Sequence, residues 1–399
     1  PYHICKLYAS GGVDTFRPRF SYFGFRHLEI TGLDTPPTSD SIRAICIHQD
    51  VARTGSFATQ DPVLTYVYNA GIRSLYSNLF YCFTDCPGRE RAGWLCDSFF
   101  TSRVERVLTG KSEIERNFLE NYILPESFKC IPEGMLPMCY PADHYDGVFI
   151  PNWAMWFIVE LNEYYERTGD LQLIEAAKSR VYGLIKYFKG FENEYGLLEK
   201  LKSWVFIEWS KSNDLVQDVS FPTNMLYAKI KLITAKLYND EDLIKEAESL
   251  QETIRKMSYT SKGFFCDNAY RVDGELKLSG EYTESCQYYA FHTGVATPET
   301  FPELWNCLLS DFGFDRKQTG KWPEVYFANA FIGNYLRLDL ISMYGDKDDL
   351  LRNIEGYFYY MAEKTGTLWE NDSDYASCNH GFASHVLYWF DKLGMLKDI

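Results

Sequence analysis

Carboxylates, arginines and a tryptophan are concentrated in one short stretch of the sequence. The stretch reads Asp85-Cys86-Pro87-Gly88-Arg89-Glu90-Arg91-Ala92-Gly93-Trp94-Leu95-Cys96-Asp97. Its proline and glycines favour a shaped turn over a helix. Read as structure, this is a capped turn with Asp/Arg pairs at its rim. Read as chemistry, it is a polar pocket in which carboxylates hold sugar hydroxyls, Trp94 stacks on a sugar face and one carboxyl donates a proton.

A second group of polar residues lies near the C-terminus. It consists of Thr367-Leu368-Trp369-Glu370, followed by Ser377-Cys378-Asn379-His380-Gly381. Taken alone, Trp369-Glu370 is a weak signal, and Asn379 with His380 reads equally well as an ordinary helix cap. The second group gains meaning only when it is combined with the first.

Helices must position both groups, because the hydrophobic period changes to 3.6 residues from Asp61 onward. Asp61-Pro62 is a capping residue followed by proline at the first helical position. The joints Gly169-Asp170, Asn239-Asp240 and Gly345-Asp346 each predict a left-handed C-terminal residue and then the next N-cap. Helix starts are expected near residues 61, 94, 112, 150, 170, 219, 241, 281, 299, 325, 347 and 377.

About a dozen helices joined as hairpins predict a mainly α fold, an (α/α)6 barrel of six hairpins. Its long non-helical connections are expected at 125–149, 190–217 and 258–280, where aromatic residues and carboxylates could line a sugar site. An α-solenoid is the alternative, but the sequence has no regular repeat of about 34 to 47 residues. Before the helices, Phe16–Ile30 and Ile42–Ile47 have the composition of β-strands.

Composition excludes several classes of protein. The 40 Lys and Arg residues against 55 Asp and Glu residues give a net charge of −15, which would repel nucleic acid and anionic membrane surfaces. The longest apolar run, 148–161, is interrupted by polar residues and is shorter than the roughly 20 residues of a spanning helix. We therefore expect no nucleic-acid partner and no membrane association. The eleven cysteines form no CxxC pair or zinc-finger spacing, so we expect reduced thiols and no metal site.

Together the two groups resemble the catalytic domain of bacterial inverting α-L-rhamnosidases. The matching patterns are Asp-Cys-Pro-x-Arg-Glu-Arg-x-Gly-Trp-x-x-Asp from Asp85, and Thr-x-Trp-Glu from Thr367 followed by Ser-x-x-His. The run Phe-x-Pro-x-Phe-x-Tyr-x-Gly-Phe-Arg from Phe16 looks like a strand that these proteins carry shortly before the barrel. The resemblance implies an (α/α)6 barrel over residues 59–399. It also implies that residues 1–58 are a β-strand segment left from an N-terminal β-sandwich domain.

The resemblance also implies a role for each site residue. Glu90 would be the general acid that protonates the glycosidic oxygen, and Glu370 the general base that activates water. The expected substrate-binding residues are Asp85, Arg89, Trp94, Asp97, Trp153, Trp209 and His380. Family members carry Asp-Trp about where Glu208-Trp209 falls. Asp85 and Asp97 would raise the pKa of Glu90, whereas Arg89 and Arg91 would lower it. No metal or organic cofactor is implied, and the partner is a rhamnose-containing glycoside.

Several alternatives stay open at the level of sequence. Glu324, or the pair Glu281 and Glu284, competes with Glu370 for the role of base, although each also fits the first turn or cap of a helix. A different glycosidase on the same barrel, acting on a uronic or neutral hexose residue, is a second interpretation. A uronate would need a basic partner such as Arg89 or Arg91. A third is a non-catalytic carbohydrate-binding derivative of the enzyme.

Overall fold

Helices dominate the structure, a computed structural model that describes residues 3–50, 55–142 and 146–398. The helices in the described residues are α1 Pro62–Asn78, α2 Asp97–Thr109, α3 Glu113–Ile123, α4 Pro151–Thr168, α5 Leu171–Lys189, α6 Phe221–Tyr238, α7 Glu241–Ser258, α8 Glu284–His292, α9 Pro302–Ser310, α10 Arg316–Thr319, α11 Tyr335–Tyr344, α12 Lys347–Thr365 and α13 Val386–Lys392. The strands are β1 Gly55–Phe57, β2 Val219–Ser220, β3 Asn268–Val272, β4 Glu275–Leu278, β5 Tyr282–Thr283, β6 Val325–Tyr326 and β7 Leu396–Asp398.

Six helices form a closed inner ring. α2 packs on α4, α4 on α6, α6 on α8, α8 on α11, α11 on α13, and α13 returns to α2. The helices α3, α5, α7, α9 and α12 each follow an inner helix, and α1 pairs with α13 from the opposite end of the chain. The prediction of a mainly α, (α/α)6 barrel is confirmed. Because an outer helix separates successive inner helices, the inner helices run parallel and their N-terminal ends gather at one end of the barrel.

The predicted caps explain where several outer helices begin. The Asp61 carboxylate accepts from the amide of Val63 over 2.8 Å at the start of α1, and Asp346 accepts from Asp349 over 2.8 Å at the start of α12. α4 and α6 end in left-handed residues, as the Gly169-Asp170 and Asn239-Asp240 joints predict. These caps satisfy backbone groups that have no partner within the helix.

The prediction of a left-handed Gly345 is wrong. Its backbone is extended, with φ −93° and ψ −169°. Glycine is needed there for a different reason, because a Cβ would lie 2.9 Å from the carbonyl oxygen of Ile341. The joint therefore depends on close backbone approach and not on a positive φ.

Two predicted helix starts also differ from the structure. The helix expected near 325 begins at Tyr335, because β6 pairs in parallel with β5 and the backbone at Phe331 and Ile332 is not helical. The helix expected near 377 begins at Val386, after a 3-10 turn over Phe382–His385. In both places contacts with distant parts of the chain replace the local helical preference.

The strands predicted over Phe16–Ile30 and Ile42–Ile47 are not formed. In the described part of residues 1–58, the chain forms one strand, β1, which pairs antiparallel with β7. A strand needs a neighbour to satisfy its backbone groups, and no described strand lies beside these two runs. The division at residue 58 and the derivation of this segment from a β-sandwich remain predictions.

Buried charges link the inner helices across the barrel. Arg103 of α2 donates to Asp339 of α11 over 2.6 Å and to Glu163 of α4 over 2.7 Å. Trp389 of α13 donates to the same Asp339 over 2.7 Å. The network satisfies its buried groups across the barrel, as buried charges require.

Two further observations concern membrane-spanning helices and the cysteines. No helix among the described residues is both long enough and apolar enough to cross a bilayer. Each of the eleven cysteines is free, and most of them are buried, in agreement with the expected reduced thiols.

The first testable prediction concerns Gly71 of α1, which lies in the contact between α1 and α13. A Cβ at Gly71 would lie 3.1 Å from Leu387 and 3.2 Å from Val386, so α1 meets α13 at a site with no room for a branched side chain. We expect Gly71→Val to lower the free energy of unfolding by about 1–3 kcal/mol through overpacking. Urea denaturation followed by circular dichroism measures this.

Gly183 of α5 provides the control. A Cβ there would lie 3.6 Å from its nearest neighbour, which is ordinary van der Waals contact. Because alanine is the better helix former, Gly183→Ala should leave stability unchanged or raise it by less than about 1 kcal/mol. Wild-type stability in Gly71→Val would contradict the tight contact between α1 and α13.

Candidate active site

The 85–93 turn connects α1 to α2 and carries Glu90. Its two ends are closed by a pair of hydrogen bonds: the Asp85 amide donates to the Ala92 carbonyl over 3.1 Å, and the Ala92 amide donates to Asp85 Oδ1 over 2.9 Å. At Gly93 a Cβ would lie 2.7 Å from the carbonyl oxygen of Tyr140, so the chain passes too close for any other residue. The Asp, Gly and Ala spacing of the sequence motif thus defines the shape of the turn.

The 368–380 segment carries Glu370 and lies beside this turn. The Glu370 amide donates to the Ser377 carbonyl over 2.9 Å, and the Ser377 amide donates back to Glu370 Oε2 over 3.2 Å. The Gly381 amide, just after the segment, donates to the Asp85 carbonyl over 2.7 Å. The two groups of residues that are far apart in sequence are therefore joined directly.

Arg89 lies between the two glutamates. Its Nε is 2.8 Å from Glu90 Oε1, and its Nη2 is 3.3 Å from Glu370 Oε2. One guanidinium therefore contacts both carboxylates. The distance between Glu90 Oε1 and Glu370 Oε2 cannot exceed the sum of these two contact distances and the distance between Nε and Nη2 of Arg89. This limit is below the largest separation, about 9.5 Å, found between the carboxyls of inverting glycosidases.

The two glutamates differ in their surroundings. The Glu90 side chain is 31% exposed, whereas that of Glu370 is 8% exposed. Burial raises the pKa of Glu90, and the negative charge of Asp85 raises it further, whereas Arg89 lowers it. Arg91 points elsewhere, because its Nη1 donates to the carbonyl of Tyr22 over 2.7 Å. The net result is a carboxyl that holds its proton at higher pH than an ordinary glutamate.

Asp97 and His380 form a buried pair beside Glu370. Asp97 is the first residue of α2, and its Oδ1 is 2.9 Å from His380 Nε2. Burial raises the pKa of Asp97 to about 6, although the hydrogen bond from His380 lowers it. Burial lowers the pKa of His380, but Asp97 and Glu370 outweigh that effect and raise it above its ordinary value. The other ring nitrogen, Nδ1, lies 3.9 Å from Glu370 Oε2.

Several buried polar atoms in this region have no hydrogen-bond partner among the described residues. They include His380 Nδ1 and Asn371 Nδ2, while Asp85 Oδ2 has only the Cys86 thiol beside it. A buried polar group without a partner costs about 1–3 kcal/mol. The arrangement therefore offers donors and acceptors that hydroxyl groups of a bound sugar can satisfy.

The three predicted tryptophans take different positions. Trp94 is half-buried and lies between the 85–93 turn and α2, three residues before Asp97. Trp153 is 2% exposed and its ring packs edge-on against Phe206 and Phe331. Trp153 is therefore buried, and its contact with the substrate stays a prediction. Trp209 is 36% exposed and packs against Phe206, with centroids 4.8 Å apart.

A chain of hydrogen bonds that the sequence did not predict connects Trp209 to Asn371, the neighbour of Glu370. Asn329 Nδ2 donates to the Trp209 carbonyl and to Asn371 Oδ1, each over 2.7 Å. Asn371 directly follows Glu370 in the chain. Neither asparagine forms part of a motif, and only the position of Asn371 next to Glu370 could have drawn attention to it.

Glu208 is fully buried and supports this chain of hydrogen bonds through Asn329. Its carboxylate accepts hydrogen bonds from the amides of Asn329 and Gly333 and from the hydroxyl of Ser285. Burial raises the pKa of Glu208 to about 8. The Glu208 carboxylate is therefore occupied in holding the backbone of residues 329–333.

The competing candidates for the base are differently placed. Glu284 is buried at the start of α8, paired with Arg316 and accepting from the Ala328 amide over 3.0 Å. Glu324 is exposed, and Glu281 is half-buried beside β5. Of these four carboxylates, Glu370 is the one that shares a guanidinium with Glu90.

Comparison with known sequences identifies related proteins. The model of the bacterial alpha-L-rhamnosidase 6 hairpin glycosidase domain matches residues 52–393. An alpha-L-rhamnosidase of Formosa agariphila is 24% identical over 381 residues, covering 91% of this chain and 36% of that protein. One from an Alteromonas species is 21% identical over 408 residues, covering 96% of this chain and 42% of that protein. The chain therefore spans about two fifths of the curated relatives that it matches.

Solved structures with the same fold include two rhamnosidases. The GH78 family rhamnosidase of Bacillus sp. GL1 superposes with a TM-score of 0.75 at 19% identity, over 86% of this chain and 36% of that one. The rhamnosidase from Klebsiella oxytoca with rhamnose bound superposes with a TM-score of 0.68 at 16% identity, over 86% of this chain and 66% of that one. These likenesses establish the fold. Because the family model covers most of the barrel and both catalytic segments, this chain belongs to the family of bacterial α-L-rhamnosidase six-hairpin glycosidase domains.

Proposed function

We propose that this chain is the catalytic domain of a glycoside hydrolase that removes terminal, non-reducing α-L-rhamnose with inversion of the anomeric centre. The observation that carries the proposal is the contact of one guanidinium, that of Arg89, with both Glu90 and Glu370. An inverting hydrolase needs two carboxyls, one to protonate the leaving oxygen and one to deprotonate water on the opposite face of the ring. Membership of the rhamnosidase family supports the choice of sugar.

The surroundings of the two glutamates support a division of labour. Glu90 has a raised pKa and donates its proton to the glycosidic oxygen as the bond from that oxygen to the anomeric carbon breaks. Glu370, next to the Arg89 guanidinium and the Ser377 amide, accepts a proton from the water that attacks the anomeric carbon. At the end of the reaction Glu90 is ionised and Glu370 is protonated, and exchange with solvent restores both.

The remaining polar groups suit a neutral deoxy sugar. Asp97 and His380 hold each other in fixed positions, so His380 Nδ1, which lies 3.9 Å from Glu370 Oε2, keeps its orientation. Asp85 supplies a further acceptor, and the half-buried ring of Trp94 supplies an apolar surface for the methyl edge of rhamnose. Trp209, at the exposed end of the site, is a second aromatic surface.

The contacts of the arginines argue against a uronic acid substrate. Arg91 is committed to Tyr22, and the charge of Arg89 is already matched by two carboxylates. A sugar carboxylate would therefore add a negative charge to a site that has no unmatched cation in these positions. A purely sugar-binding role is also disfavoured, because it would not need a second carboxylate on the same guanidinium.

Substitution of the two glutamates tests the reaction. We expect Glu90→Gln and Glu370→Gln each to lower kcat/KM for an alkyl α-L-rhamnoside by about 10²–10⁴-fold, since each loses a group that transfers a proton. The measurement is rhamnose release, quantified by chromatography. The p-nitrophenyl α-glucoside and β-glucuronide, offered in parallel, should not be hydrolysed.

Glu324→Gln is the matched control, because it removes an exposed carboxylate that competes for the base role by sequence alone. It should change kcat/KM by less than about twofold, as expected for a surface substitution away from the reacting atoms. Full activity in either Glu90→Gln or Glu370→Gln would overturn the assignment of roles. Hydrolysis of the glucuronide in place of the rhamnoside would overturn the choice of sugar.

The stereochemical outcome follows from the proposed role of Glu370. With Glu370 activating water and not attacking the sugar itself, the first product should be β-L-rhamnose. Proton NMR during the first minutes of hydrolysis distinguishes the two anomers before mutarotation mixes them. Initial release of α-L-rhamnose would mean a covalent intermediate and would contradict the proposed mechanism.

Arg89 determines the expected pH dependence. Because the acid must be protonated, activity falls as pH rises through the raised pKa of Glu90. Removal of the cation in Arg89→Gln eliminates the interaction that lowers this pKa, so the alkaline limb of kcat/KM should move upward by about 1 pH unit. Arg89→Lys, which keeps the charge, should move it less. A downward shift in Arg89→Gln would show that another group controls that limb.

A further inference from the structure

The N-terminal segment, residues 3–50, contacts the barrel in two places. One lies beside the 85–93 turn, and the other lies beside α1, where the Gln49 amide donates to the Leu79 carbonyl over 3.0 Å and the His48 ring lies 5.1 Å from that of Tyr76. Of residues 3–50, Tyr22 and Phe23 are half-buried and the rest are exposed. The Tyr22 ring packs against Phe80, which follows α1, with centroids 5.4 Å apart. The half-buried part of the segment is thus the part that meets the turn.

The contacts with the turn lie on both sides of Glu90. After it in the chain, Arg91 donates to the Tyr22 carbonyl over 2.7 Å, and its guanidinium carbon lies 5.3 Å from the centroid of the Tyr22 ring. Before it, a Cβ on Gly24 would lie 3.2 Å from the carbonyl carbon and oxygen of Pro87, so the two backbones touch. His3 Nε2 is also 3.2 Å from the carbonyl oxygen of Gly88.

The barrel holds the same stretch at its base and through the contact of Arg89 with Glu370. The hydrogen bonds between Asp85 and Ala92 close the base of the turn, and inside it the Glu90 amide has only a 3.5 Å contact with the Cys86 sulfur. Arg91 has a φ of 55°, a conformation that costs energy in a residue other than glycine. Anchoring its side chain on Tyr22 stabilises that conformation and with it the direction in which the turn presents Glu90.

We propose that Tyr22, with Arg91, is a positioning element for the general acid. The inference rests on the proposed function and deepens it, because it assigns to the N-terminal segment the task of holding the 85–93 turn so that Glu90 reaches the glycosidic oxygen. Proton transfer requires a heavy-atom separation of about 2.6–3.2 Å, so a small displacement of the turn is enough to impair it. The segment does not touch the 368–380 segment through any of these contacts, so the base is unaffected.

The choice of leaving group isolates this effect. Departure of an alkoxide needs a proton from Glu90, whereas fluoride leaves without one. A misplaced acid therefore slows hydrolysis of an alkyl α-L-rhamnoside and leaves hydrolysis of α-L-rhamnosyl fluoride nearly intact. A general disturbance of the fold or of the sugar pocket slows both.

The experiment compares Tyr22→Ala and Arg91→Met, which remove the two partners of the contact separately. For each we expect kcat on the alkyl rhamnoside to fall by about 10- to 100-fold with KM little changed, and kcat on the fluoride to fall by less than about threefold. Tyr8→Ala is the matched control, because Tyr8 is an 88% exposed aromatic residue on the same segment. It should resemble the wild type on both substrates.

Glu90→Gln, assayed beside these variants, separates the two proposals. Suppose that Glu90→Gln loses activity on the alkyl substrate selectively, whereas Tyr22→Ala and Arg91→Met behave as wild type. The positioning role is then wrong, and the proposed function stands. Equal losses on both substrates in these two variants would likewise overturn the positioning role in favour of a structural one. If Glu90→Gln itself hydrolyses the alkyl substrate at the wild-type rate, the proposed function fails.

Discussion

The hydrogen bond from the Gly381 amide to the Asp85 carbonyl is the contact on which the site depends. It joins the end of the 368–380 segment to the start of the 85–93 turn, and so brings together residues almost 300 positions apart in the chain. The bond can form because α13 packs between α2 and α11 and closes the ring. Any substitution that opens the contact of α1 with α13 therefore acts on the site as well as on stability.

Closure of the ring gathers charges that would otherwise repel one another. Glu90, Glu370, Asp85 and Asp97 lie close together, and their repulsion is offset by Arg89 and by the hydrogen bond between Asp97 and His380. Burial and the neighbouring carboxylate raise the pKa of Glu90, while Arg89 limits the rise. The same features that make the site costly to assemble thus leave Glu90 protonated to higher pH than an ordinary glutamate.

Non-helical backbone surrounds the site, and buried side chains hold it in place. Glu208 accepts from the amides of Asn329 and Gly333 and so stabilises a stretch in which Ile332 has a φ of 49°. Asn329 in turn holds Asn371, the neighbour of Glu370. Tyr22 has a comparable role for the other catalytic segment through Arg91. Each glutamate therefore lies on a loop that side chains from other parts of the fold hold in place.

Local residue patterns are enough to specify the helices, most of their boundaries and the residues of the two catalytic segments. Helix periodicity and the caps at Asp61, Asp170, Asp240 and Asp346 act within a few residues, so the amino-acid sequence reveals them directly. The motifs around Glu90 and Glu370 are equally local, which is why residue types and spacing alone identify them.

How those residues are used depends on tertiary contacts. Trp153 is buried because Phe206 and Phe331 enclose it, and α11 begins at Tyr335 because Glu208 holds the preceding loop away from a helical path. The strand-like runs in residues 16–30 and 42–47 form no ladder, since a strand depends on a partner that its own sequence does not supply. The pKa of Glu90 likewise depends on where the guanidinium groups of Arg89 and Arg91 point. These outcomes arise from contacts between distant parts of the chain, and local patterns of residue type do not record them.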